Sequence, residues 1–164
     1  MKDVEASDYY DKTMHHTTNP VMDNYANLNK AKMLKSNEPA VMDRSIATLL
    51  HMAKKDRFEP YRDIIFFSAA QLALIKPDTS ASVFLYTKST FYNQENIAIK
   101  NKAFLELAEI SYKQKKYKNA YAFYDSLQLT DTSLNEKDIA QIRDRRNALA
   151  TIVAQINIIE REDS

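Results

Sequence analysis

An all-α fold is what this sequence predicts, and three observations carry it. Glycine is absent from all 164 residues; hairpins and sheets lean on glycine for turns of positive φ, whereas helix–turn–helix arrays turn on Asn, Asp and Pro. Large, small and aromatic residues recur in FLELAEISYKQKKYKNAYAFYDSL, residues 104–127, at offsets that lock two short antiparallel helices together. Pro, Asn, Asp and Ser punctuate the chain at intervals suited to helical hairpins.

Taken in order, the pattern predicts a helix over 2–16, then one over 21–35 that opens with Asn19 as N-cap and Pro20 at the first helical position. Pro39 and Pro60 mark the starts of helices over 40–55 and 60–76. Lys76-Pro77-Asp78-Thr79 is the turn into a helix over 79–93, and Gln94-Glu95-Asn96 is a loop. Helices over 97–115 and 117–130 follow. Ser133 and Glu136 have capping-box spacing before a long helix over 135–161.

Repetition organises these elements. Phe66, Ala69 and Ala70 match Phe104, Leu107 and Ala108 at a spacing of 38 residues. Ala6, Tyr9 and Tyr10 take the places of Ala120, Phe123 and Tyr124, so 2–16 is half a repeat. The whole chain is then a single domain: that half repeat, helical pairs at 20–57, 58–95 and 96–131, and a terminal helix. In the 20–57 pair the register stays open, with Asn29 or Ala31 as the close-contact residue.

The run Phe104, Leu107, Ala108, Tyr112, Tyr117, Ala120, Tyr124 and Leu127 resembles the tetratricopeptide repeat, a helix–turn–helix unit of about 34 residues. Such a unit cannot bury its apolar face alone. The resemblance therefore implies a right-handed α-solenoid of hairpins with a long C-terminal capping helix. Departures are Ala70 and Ala108 where the small residue is often glycine, Lys115 at the usual turn glycine, and Ser82 where Ala is usual.

In that superfamily the first helices line the concave surface and bind protein or peptide. The resemblance thus points to Phe67, Gln71 and Leu74, with Ile64, Ser68 and Ile75 beside them. In the next repeat it points to Lys102, Leu105, Glu109, Tyr112 and Lys113, with Glu106. From Tyr61 to Ser164 the chain, with DIIFFSAAQLAL, KNAYAFYDSL and NIIEREDS, is also similar to the tetratricopeptide lipoproteins of bacterial gliding motility and type IX secretion. This implies a periplasmic scaffold that joins parts of a secretion machine, in a larger protein anchored at the outer membrane. The lipidated cysteine of that family has no counterpart here, so this reading takes the chain as a piece of a longer protein. The alternative is a cytoplasmic adaptor or co-chaperone module that binds a peptide.

Composition excludes several other classes. Net charge is +1, from 23 basic and 22 acidic residues, which provides no global field toward nucleic acid or an anionic membrane. Cysteine is absent, which removes disulfides, thiolate metal sites and cysteine nucleophiles. The three histidines, His15, His16 and His51, form no metal-ligand spacing. Acidic residues are scattered over separate helix faces, and no glycine loop exists to cradle phosphate. Neither an enzyme nor a cofactor is expected. The basic run KQKKYK, 113–118, reads as a solvated turn whose Tyr117 packs within the repeat.

The last helix stands apart. Its uncharged stretch from Asn147 to Ile159 spans 13 residues, too short to cross a bilayer, which needs about 20. A narrow polar stripe of Asn147, Thr151 and Gln155 leaves Leu149, Ile152, Val153, Ile156, Ile158 and Ile159 around the remainder. One neighbouring hairpin covers only part of such a surface. Ile158 and Ile159 are therefore candidate contacts for a partner or for the rest of a parent chain. The charged ends, RDRR at 143–146 and EREDS at 160–164, read as solvated.

Overall fold

A computed structural model describes residues 39–93 and 95–164. The helices expected over 2–16 and 21–35, the His15-His16 pair and the Asn29/Ala31 register lie outside the described residues. Among the described residues the chain is helical, with six α-helices, one 3-10 turn and no strand. It divides into two compact units, Met1–Gln94 and Glu95–Ser164.

In the first unit α1 (Pro39–Ala53) leads through a 3-10 turn (Asp56–Tyr61) to α2 (Arg62–Ile75), and α3 (Thr79–Tyr92) follows. Pro60 does not open a helix as the sequence predicts. It lies within the 3-10 turn, where the tighter winding buries Phe58 at 1% exposure, and α2 starts two residues later. Proline disfavours helical backbone in the residue before it, which suits this short non-α segment.

α2 packs on both α1 and α3, which is why its sequence is apolar nearly all round. Ile65, Ala69, Ala70, Leu72 and Ala73 are fully buried. Ser82 Oγ of α3 donates to the Ala70 carbonyl at 3.1 Å. That close approach is possible because both positions carry small side chains.

In the second unit α4 (Ile97–Lys113) and α5 (Tyr117–Asp125) form a hairpin, and α6 (Glu136–Asp163) packs on α5. Ala108, Ala120, Tyr124, Leu127, Ile142 and Leu149 are its buried centre, with Phe104, Tyr117 and Ile152 packed against them. α6 runs antiparallel to α5: Arg146 lies 3.9 Å from Asp125 at one end, and Lys118 lies 2.5 Å from Glu160 at the other.

Two features of this unit differ from expectation for side-chain reasons, beyond shifts of one or two residues at the ends of α4 and α6. α5 ends at Asp125 rather than 130 because the buried Asn101 side chain takes the Gln128 backbone. Asn101 Oδ1 accepts from Gln128 N–H at 2.9 Å, and Nδ2 donates to the Gln128 carbonyl at 2.8 Å. The capping box on α6 is Asn135 with Asp138, not Ser133 with Glu136. Ser133 is held elsewhere, its amide and hydroxyl both donating to Asp131 at 3.0 and 2.8 Å.

Candidate protein-binding groove

α5 packs on both α4 and α6, while the backbones of α4 and α6 stay apart. A groove of about 1010 Å³ opens between them. Its apolar lining comes from Leu105 of α4, Leu127 and Leu134 of the loop after α5, and Ile142 and Ala148 of α6. Tyr124 lies beneath, only 2% exposed. Its hydroxyl donates to Glu109 Oε1. Burial first, and then the Glu109 carboxylate, push the Tyr124 phenol well above its usual range, so this hydroxyl stays a donor at any physiological pH.

One end of the groove is bridged by Arg145. Its guanidinium sits 4.6 Å above the Tyr112 ring and 3.8 Å from Glu109. The Tyr112 ring is braced edge-on by Tyr117, with centroids 5.8 Å apart. At the other end Lys102 and Asp131 line the wall. The Asp131 carboxyl is held below its usual range, chiefly by the Ser133 amide, with further lowering from the Ser133 hydroxyl, Asn101 and the charge of Lys102. Glu106, half-buried on α4, moves the opposite way: burial and then the charge of Glu109 raise it, and Lys113 opposes them.

Of the residues the sequence singles out, Lys102, Leu105, Glu109 and Tyr112 meet in this groove. Lys113 is exposed at the end of α4 and does not line it. Phe67, Gln71 and Leu74 belong to the first unit. Phe67 was expected to offer an open face but is 8% exposed, with its ring edge-to-face on Tyr86 at 5.4 Å. It is a packing residue there, because α2 is covered on two sides. Gln71 and Leu74 are half-buried. Ile158 and Ile159 are 49% and 57% exposed near the end of α6.

The far wall is what sequence reasoning missed. Arg145 read as part of a solvated charged end, yet it is half-buried over Tyr112. The signal was present: Ile142, Arg145 and Leu149 lie at i, i+3 and i+7, one face of a helix, and the two apolar members are buried. Asn101, Asp131 and Leu134 left no comparable periodic mark.

Among the described residues no group of three or more His, Cys, Asp or Glu is placed to hold a metal ion. No helix among them is long and apolar enough to cross a membrane. No protein-family model matches this sequence, and no curated protein matches it either.

Proposed function

We propose that the chain is a non-catalytic protein-interaction module built from tetratricopeptide-like hairpins in a right-handed α-solenoid, and that the α4–α6 groove receives a peptide segment of its partner. The observation that carries this reading is the groove itself. It combines an apolar floor with polar and charged walls over a volume at or above the upper end for small-molecule pockets. Its first wall is a first helix of the repeat pattern, the element that binds ligands in tetratricopeptide proteins. A role in assembling a bacterial envelope secretion or gliding machine, on the periplasmic side, is proposed on the resemblance read in residues 61–164 alone.

Photo-crosslinking in cells tests the module reading. A benzophenone amino acid at Lys102 or Tyr112 should yield a discrete protein adduct, while the same group at exposed Thr87 should not. Adducts of equal yield from all three positions would sink the groove as the binding face. Fractionation of the native protein addresses location: recovery with periplasm or outer membrane supports the envelope role, and recovery in the cytosol favours an adaptor.

A further inference from the structure

The unanswered charge of the groove bears on the peptide it takes. We infer that the occupant is a segment in which aliphatic residues are interspersed with lysine or arginine; this rests on the groove-binding reading above. Four carboxylates, Glu109, Asp131, Asp138 and Asp144, and two cations, Lys102 and Arg145, line the groove.

The carboxylates outnumber the cations by two, and the cations lie beside the other two carboxylates. Arg145 is shared between Glu109 and the Tyr112 face, and Lys102 lines the same wall as Asp131, whose carboxyl its charge helps to lower after the Ser133 amide and the other hydrogen bonds. Asp138 and Asp144 on α6 remain in excess, since neither has an ion-pair partner among the described residues. Asp138 spends one interaction on its own helix, accepting from Asn135 N–H at 3.2 Å, and Asp144 is exposed. An occupant bearing carboxylates would meet this excess as repulsion. A cationic one is attracted to it, while its aliphatic residues cover the Leu105, Leu134 and Ile142 surface.

The test is selection from a phage-displayed random 12-residue peptide library on the full chain, followed by titration of selected peptides. Partners are the wild type, Asp144→Lys, and two neutral groove variants, Leu105→Ser and Ala148→Trp. Ala148 is exposed, so a folded blocking variant is available even where Leu105→Ser lowers stability. The expected result is enrichment of Lys and Arg beside aliphatic residues. Binding should weaken about tenfold in Asp144→Lys and severalfold on raising salt from about 50 to 500 mM.

Selected peptides without excess basic residues, still lost on Ala148→Trp, would overturn the charge assignment and leave the groove reading standing. Failure to enrich any peptide would overturn both. So would binding indifferent to all three variants, including binding by way of the exposed Phe84 and Phe91 of α3.

Discussion

The hairpins α2–α3 and α4–α5 share one framework but use its polar positions in reverse. Asp63 at the start of α2 accepts from Asn93 Nδ2 at 2.8 Å, after the end of α3. Thirty-eight residues on, Asn101 Nδ2 donates to Asp131 at 3.1 Å. The interhelical turns match as well: Asp78 N–H donates to the Ala73 carbonyl, and Lys116 N–H to the Ser111 carbonyl, each at 2.9 Å, the six-to-one bond that ends a Schellman-capped helix. Exchanging Asp and Asn moves the negative charge. In the first hairpin the carboxylate is 5% exposed, and burial raises its pKa; in the second it is half-exposed beside the groove and its pKa is lowered. The framework thus tolerates a carboxylate at either end of the pair, and only the second arrangement delivers one to the candidate binding surface.

The largest effect is expected at the small residues. Ala70 and Ala108 are both fully buried where their helices cross. Ala70→Leu and Ala108→Leu should each cost about 1–3 kcal/mol through overpacking, read as lowered thermal midpoints by circular dichroism. If only one is costly, the two hairpins do not share the same close contact.

Reversing the first pair comes next. In the double variant Asp63→Asn with Asn93→Asp, the carboxylate moves to the more exposed position. Each pKa unit removed from the buried group is worth about 1.4 kcal/mol at neutral pH, so the thermal midpoint at pH 7 should rise. The pH dependence carries the sign. Asp63 has a folded pKa above its unfolded value, so its contribution is fully present below the unfolded pKa and is lost as pH rises through the folded one. Asp131 has a depressed folded pKa; its contribution is present above the unfolded value and lost as pH falls through the folded one. Asp63→Asn should therefore remove a gain in stability on acidification, and Asp131→Asn should remove a loss. Chemical denaturation between pH 3 and 7 reads both, and slopes changed in the same direction would contradict the comparison.

Much of the fold was legible because its signals are local. Helices with a small residue at the crossing and aromatics at i+3 and i+4 announce themselves, and Ala108, Ala120 and Tyr124 lie in the core where the pattern puts them. What the pattern could not supply is partnership across distance. Asn101 ends α5 by capturing the backbone 27 residues away, and Asp131 diverts Ser133 from capping α6. Both decisions belong to side chains whose neighbours exist only once the hairpin has closed. The groove was half legible for the same reason: its α4 wall follows from the repeat, whereas its α6 wall depends on how the last helix is rotated against α5.

Two smaller effects are expected in the second unit. Lys115 holds a left-handed backbone at φ 59° in the α4–α5 turn, a conformation that costs a non-glycine residue about 1–2 kcal/mol. Lys115→Gly should relieve that cost, partly offset by the extra freedom of glycine in the unfolded chain, for a net gain below about 1 kcal/mol in denaturant titration. At the end of α6, Ile158 and Ile159 stand exposed. Replacing both with Glu should leave the thermal midpoint within the ordinary range for surface changes, about 0.5 kcal/mol, while abolishing any association measured by sedimentation. A variant that unfolds would make these residues part of the cap rather than a contact surface.

The central claim, that the space between α4 and α6 is the binding site, is tested most directly by amide chemical-shift mapping of the full chain during titration with a library-selected peptide. The largest shifts are expected on Lys102, Leu105, Tyr112, Gln141 and Arg145, on the two facing walls. Shifts confined to Phe84 and Phe91 on α3, or to Ile158 and Ile159 at the end of α6, with the groove amides unmoved, would contradict it.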